Sequence, residues 1–130
     1  FPFPGGSGPF DEYLFGAYRD LRSFDVHVWP YIHATSIRSD DADKGSTPAD
    51  GGANSQQMDN FPVLSNNGLV NSLWLGHYGL INKCNNVLFQ IGTNRGIIST
   101  DQQKAVAAAE ARFLRGYAYF NMVRFFENIP

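Results

Sequence analysis

Cysteine is all but missing from this sequence. Cys84 stands alone among 130 residues, which excludes an internal disulfide framework and any multi-cysteine zinc site, and leaves the redox compartment open. A dominant sign of charge is missing as well. Ten basic residues face twelve acidic ones for a net charge of −2, so no positive field draws the chain to nucleic acid or to an anionic bilayer. Nucleic acid is therefore not an expected partner. No apolar run is long enough to span a membrane, and charged residues make up only 17% against 43% hydrophobic, which excludes a disordered polyampholyte. The chain begins at Phe1 with neither an initiator Met nor a charged leader, and it stops at Pro130 directly after a strongly apolar stretch. Both ends lead us to expect a piece of a longer chain.

Aromatic residues, by contrast, are plentiful at 15%. Surface scaling gives about 6,900 Å² exposed when folded against about 21,000 Å² unfolded, enough burial to hold a core without staples.

Four helical segments are expected. The first runs from about residue 9 to 22. Pro9 suits the opening turn, Asp11 and Glu12 complement the positive helix end, and Phe10, Leu14, Ala17 and Leu21 share one face. The second spans about Pro30 to Arg38, with a start blurred by Pro30. The third runs from about Leu69 to Ile91, about 34 Å long. Asn66 and Asn67 are its cap candidates and Gly92 is read as its C′ glycine. It shows two apolar rows, Leu73, His77, Leu80, Cys84, Val87 and Ile91, and Val70, Trp74, Tyr78, Ile81, Asn85 and Leu88.

The fourth opens on a capping box, Thr100 with Gln103. Small residues at Ala107, Ala108, Ala109, Ala111, Gly116 and Ala118 alternate with Phe113, Leu114, Tyr117, Phe120, Met122 and Val123. We expect this helix to be central and buried on all sides. Residues 39 to 68 read as one long polar loop. Structureless connections beyond about 15 residues are uncommon in compact domains unless functional or disordered, so the loop is the first place to look for binding.

Chemistry is sparse. His27, His33 and His77 have no HExxH or HxxxH spacing. His77 and Cys84 lie two helical turns apart, about 10.5 Å, too far to share one ion, and suit a packed seam. No metal site and no cofactor are expected. Setting Asp41 and Asp43 at positions one and three of an EF-hand puts Gly45 at five, Ser46 at six and Gly52 at twelve, so the match fails, and a loop-and-cap role is the better reading of the acidic run 40–43. GGSG at 5–8 and GTNRG at 92–96 are turns and not phosphate cradles. Glu12, Glu110 and Glu127 form no carboxylate pair and no GxSxG elbow exists, so an enzyme is not expected. Arg112 and Arg115 are expected to pair with carboxylates or carbonyls. Trp29, Tyr31 and Phe61 fall outside helical spacing and are free to stack on a sugar face.

One stretch carries a resemblance. AEARFLRGYAYFNMVRFFENIP at 109–130 is similar to the signature helix of the SusD/RagB family, E-A-[RK]-F-L-R-A-x-x-Y-F-x-L-[VL]-x-x-[FY]-G-x-[VI]-P, matching at Glu110, Ala111, Arg112, Phe113, Leu114, Arg115, Tyr119, Phe120, Val123, Ile129 and Pro130. Trp74, Tyr78, Ile81, Asn85, Asn86, Val87 and Leu88 resemble its W-x-x-x-Y-x-x-I-x-x-x-N-x-[VIL]-[VIL] helix, and Ser39-Asp40-Asp41 its S-D-[DE] segment. Gly116 departs from the usual Ala, and Glu127-Asn128 from Gly-Asp.

The resemblance implies an all-α, tetratricopeptide-like bundle of about four helices, with residues 1–130 as the N-terminal part of an outer-membrane surface lipoprotein. Such a protein binds glycans or related nutrients without catalysis and delivers them to a SusC-like TonB-dependent transporter. The resemblance also implies a lipidated cysteine before Phe1, so that membrane contact comes only through an anchor absent from this chain, and a larger ligand-binding portion after Pro130. The family's motif positions are structural and transfer packing roles only. Ligand contacts are therefore read from loop position and hydrogen-bonding type alone: Asp43, Lys44, Gln57, Asn66 and Asn67. The competing function is a helical protein-interaction scaffold that binds no saccharide.

Overall fold

A computed structural model describes residues 8–45, 47 and 49–130. It is all-helical, with no strand among the described residues. The Gly5–Gly8 turn lies, except for Gly8, outside them. The chain divides into two compact units, one made of residues 8–21 with Tyr78–Pro130, the other of Arg22–His77.

In the first unit, α1 (Asp11–Leu21) begins where the Asp11 carboxylate accepts from the Gly8 backbone N–H at 2.6 Å and Asp11 N donates back to the Gly8 carbonyl at 3.1 Å, which closes the turn that leads into the helix. The expected stripe forms: Phe10, Leu14 and Ala17 are buried. They pack with Val87 from α5 (Gly68–Thr93) and with Ala107 and Ala111 from α6 (Asp101–Phe126). Each large apolar side chain buried this way stabilises by about 1.5–3 kcal/mol. Small residues on α6 let α1 come close, and the Tyr18 hydroxyl donates to Glu110 at 3.1 Å across that contact. The capping box at the start of α6 is complete: Gln103 N donates to Thr100 Oγ1 at 3.2 Å and Thr100 N to Gln103 Oε1 at 2.9 Å. The Arg115 guanidinium reaches the Asn85 side-chain carbonyl at 2.8 Å, whereas Arg112 is exposed and has no ion pair among the described residues.

Two expectations for this unit need correcting. Helix α6 is not buried on all sides. Its packed face is Ala107, Ala108, Ala111, Leu114, Ala118, Asn121 and Met122, while Phe113, Phe120 and Val123 are 73%, 59% and 50% exposed. Alanines admit the neighbouring helices on that face, with Leu114 and Met122 buried beside them, and Phe113, Phe120 and Val123 project from the opposite face, a division that composition alone conceals. Gly92 is not a C′ residue either. It lies within the last turn of α5, which closes after Thr93 with the Thr93 hydroxyl on the Phe89 carbonyl at 2.7 Å and Asn94 N on the Gln90 carbonyl at 2.9 Å.

In the second unit the helix expected over residues 30–38 forms over residues 29–37, an α-turn running into a π-turn, and a short helix that was not expected precedes it. Helix α2 (Phe24–His27) ends at Val28, whose ψ of −108° is non-helical. Helix α3 (Trp29–Ile32) follows, with Pro30 in its first turn, where a missing N–H costs nothing. A π-turn (His33–Ile37) completes it, with Arg38 N bonded to the His33 carbonyl at 3.0 Å. The loop over 39–68 is likewise interrupted by α4 (Gly52–Asp59), a helix that periodicity did not reveal because its buried positions are only Ser55 and Met58. In the part of α5 within this unit, Leu73 and His77 are buried. Gly76 lets that part approach α2: a Cβ at Gly76 would stand 2.9 Å from Asp25 Cβ and 3.1 Å from its carbonyl carbon.

Candidate functional site

The second unit gathers the chain's polar loop residues around α4. The anchor is Asn67, 1% exposed, which caps α5: its Oδ1 accepts from Leu69 N at 2.9 Å and Val70 N at 3.3 Å. Its Nδ2 donates to the Asn54 carbonyl at 3.0 Å and to Gln57 Oε1 at 2.9 Å. Gln57 Oε1 also accepts from Leu64 N at 3.2 Å, and Asn54 Oδ1 from Gly68 N at 3.2 Å. One cap residue thus ties α4 to the start of α5. At the other end of α4, Asp59 Oδ1 accepts from Lys44 N at 3.0 Å, and the Lys44 ammonium holds the Thr47 carbonyl at 2.8 Å.

Beside this network lies a cleft of about 150 Å³. Trp29, Ile32, His33 and Ile37 form one side of it, and Lys44, Asp50, Gly51 and Ser55 the other. His33 is fixed by its Nδ1 on the Trp29 carbonyl at 2.9 Å, and its ring lies 4.4 Å from the Trp29 ring, tilted by 53°. Trp29 remains 44% exposed, so an indole surface edges a cleft whose lining also includes Lys44 and Asp50. Gly51 enters α4 at φ 74°, and a Cβ there would come within 3.0 Å of Ser55 Oγ, so the residue type is set by both conformation and space.

A second aromatic surface is Phe61. It is 59% exposed at a φ of 71°, a conformation a bulky residue adopts only when held there. Arg38 holds it, with Nη1 on the Phe61 carbonyl at 3.3 Å and the guanidinium carbon 5.2 Å from the ring centre.

Of the five residues read from the sequence, the structure brings Gln57 and Asn67 into direct contact and places Lys44 in the cleft wall. Asp43 and Asn66 are exposed, and their side chains make no hydrogen bond among the described residues. Asn54, Asp50 and Ser55 were missed. Their signal was weak, because a helix with Gly-Gly at its start and only two buried positions leaves no periodic trace. Of the three aromatics, Tyr31 is half-buried against His27 at 5.0 Å between ring centres.

The first unit holds a larger, open cleft of about 580 Å³ near Phe10, Leu14, Gln102 and Val106. Its other polar groups already serve the fold: Asp11 holds Gly8, Thr100 and Gln103 hold each other, and Glu110 holds Tyr18. The two helical residues once weighed as ligands are both fully buried. Burial drives the Cys84 thiol up to about 11, which keeps it protonated and inert. Burial and the nearby His27 push the His77 imidazole below its usual value, against an opposing bond to the Leu73 carbonyl. Among the described residues no three His, Cys, Asp or Glu side chains are grouped to hold a metal ion, and no helix is long and apolar enough to cross a membrane.

Comparison with known proteins gives a consistent picture. A SusD-like family, described as starch-binding and associating with the outer membrane, matches residues 28–130. A curated relative, SusD-like protein P2 of Formosa agariphila, is 34% identical over 95 residues, covering 72% of this chain and 18% of that protein. The chain thus spans under a fifth of the length of that relative. No solved structure matches it.

Proposed function

The chain belongs to the SusD-like family, and from that membership we propose that it serves the non-catalytic capture of glycans or related nutrients at the bacterial cell surface. Residues 1–130 are, on this reading, the N-terminal helical portion of a longer lipid-anchored protein that passes its cargo to a SusC-like TonB-dependent transporter. The observation that supports it most is the family match over residues 28–130, a range that contains every residue of the Trp29 cleft.

That cleft suits a sugar. A pyranose presents one face of C–H groups, which the negative π-cloud of Trp29 attracts, and a rim of hydroxyls, which Lys44 and Asp50 can bond. Asp43 and Asn66 add exposed carboxylate and amide groups on the same polar segment. Gln57 and Asn67 act one step back, holding α4 and the start of α5 so that the cleft wall keeps its shape. None of these groups is paired as an acid and base around a bond to be broken, so the reading includes no turnover.

Calorimetry with starch-derived and other oligosaccharides, on this chain and on the full-length protein, tests the proposal. We expect binding that falls about tenfold in Trp29→Ala, and further when Asp43→Ala and Asn66→Ala are added. Absence of saccharide binding together with retained capture of a transporter would overturn it in favour of a protein-binding scaffold.

A further inference from the structure

Two polar side chains of the Trp29 cleft are far more deeply placed than the rest of its lining. His33 and Ser55 are 2% and 1% exposed, while the other lining residues are exposed or half-buried. A polar group taken out of water is costly unless it is bonded, and the fold answers that need only in part. The Trp29 carbonyl, 2.9 Å from His33 Nδ1, can only accept, so that nitrogen carries the ring proton. Nε2 of the uncharged ring is then a lone pair, and it has no hydrogen-bond partner among the described residues. The Ser55 hydroxyl has none among them either. Neither atom is sealed from solvent, so the open valence of each faces the cleft that both residues line. These valences are open inside the unit itself, and they call for a hydrogen-bonding occupant whatever covers the surrounding surface.

Size and charge narrow that occupant. Pockets that enclose drug-sized ligands start at about 300 Å³, and this cleft has about 150 Å³, room for one six-membered ring beside Trp29 and not for two. Lys44 and Asp50 cancel in formal charge, and the Lys44 ammonium already donates to the Thr47 carbonyl at 2.8 Å. A carboxylate or sulfate on the sugar has no proton to give to Nε2 and would share a small cleft with Asp50. A sugar hydroxyl supplies the proton at no cost in charge.

We propose that His33 and Ser55 are the specificity-determining pair of this cleft, and that it takes a single uncharged pyranose unit. One ring hydroxyl donates to His33 Nε2, and Ser55 Oγ bonds a second sugar oxygen, while Trp29 covers the C–H face. This assignment rests on the reading of the cleft as a glycan site and names the class of sugar it selects.

The test uses the full-length protein, with binding followed by calorimetry and ligand-observed magnetic resonance. The probes are the methyl glycosides of glucose, galactose and mannose, the matching methyl uronides, and starch oligosaccharides. We expect at least one neutral methyl glycoside to bind and its uronide to bind at least about fivefold more weakly, with Ser55→Ala and His33→Asn each weakening the neutral sugar about fivefold. Asn at position 33 keeps an N–H for the Trp29 carbonyl and removes the Nε2 acceptor. Ser55→Ala is the cleaner variant, because it strands no partner and favours the helix, so melting should be unchanged or raised. Tighter binding of the uronide, or binding that begins only with longer oligosaccharides, overturns the assignment. So do two variants that fold and bind like the parent, as they would if water or a segment of the longer protein filled the cleft; glycan capture then stands and this assignment alone falls. Absence of binding by every probe fails the glycan reading itself, and the assignment with it.

Discussion

The two units of this chain are held by different forces. The unit around α1 and α6 rests on apolar side chains repeating at helical spacing, Phe10, Leu14, Val87, Ala107 and Ala111. The unit over Arg22–His77 has large buried apolar residues too, Val26, Met58 and Leu73, but its loop region is organised by single polar side chains: Asn67 with four bonds, Asp59 on Lys44, Arg38 on Phe61. Apolar contact is non-directional, so neighbouring substitutions of similar volume are tolerated. A hydrogen-bonded hub is directional, and removal of one partner leaves several others unmade.

Four experiments sharpen or break that contrast. The largest effect is expected in the first unit. Leu114→Ala, at a 2% exposed position, should cost about 2–5 kcal/mol in urea unfolding, while the adjacent Phe113→Ala should stay within about 0.5 kcal/mol. Equal costs would mean that the outward face of α6 is covered after all.

Next is Asn67→Ala, which should cost about 2 kcal/mol from the lost cap and the stranded partners. It should also raise hydrogen exchange in α4 without changing it in α6. The control, Thr100→Ala, should cost about 1 kcal/mol and act on the start of α6.

Two glycines of α5 give opposite signs. Gly76→Ala drives a Cβ into Asp25 and should destabilise by about 1–3 kcal/mol. Gly79→Ala meets nothing within 4 Å and should stabilise by up to about 1 kcal/mol.

The smallest effect is a pH dependence. The buried His77 holds its proton less well than its ordinary 6.5. Above that value both states are neutral and the full stability is present. As pH falls through about 6.5 the unfolded chain takes up a proton that the folded chain resists, so stability declines toward the lowered folded value. The unfolding midpoint should therefore drop between pH 7.5 and 5.5, and His77→Gln should flatten that slope.

Legibility in the sequence followed the same division. Regular apolar spacing and a capping box were enough to place α1, most of α5 and the start of α6, and the family resemblance in 109–130 agrees with the match over 28–130. Of the row Leu73, His77, Leu80, Cys84, Val87 and Ile91 all but the half-buried Ile91 are buried, whereas of the row Val70, Trp74, Tyr78, Ile81, Asn85 and Leu88 only Ile81 is. Helix α4 did not, because its formation depends on Asn67 and Lys44, which are distant in sequence. The break at Val28 and the π-turn after Ile32 left no periodic mark either. Of the residues that line the Trp29 cleft, Lys44 and Trp29 were singled out in the sequence by residue type. The cleft partners Asp50, Gly51 and Ser55 were not, since a pocket wall is a matter of which loops close on which helix.

Local rules, then, determined by themselves where helices start and which face of each could be apolar, because capping and a 3.6-residue period act within a few residues of the chain. Only tertiary structure decided which apolar face was used. Helix α6 carries two, one built on alanines with Leu114 and Met122 and one on Val106, Phe113, Phe120 and Val123, and the sequence assigns no preference between them. Close approach favoured the side where Ala107, Ala111 and Ala118 admit neighbouring helices, and left Phe113 and Phe120 facing outward.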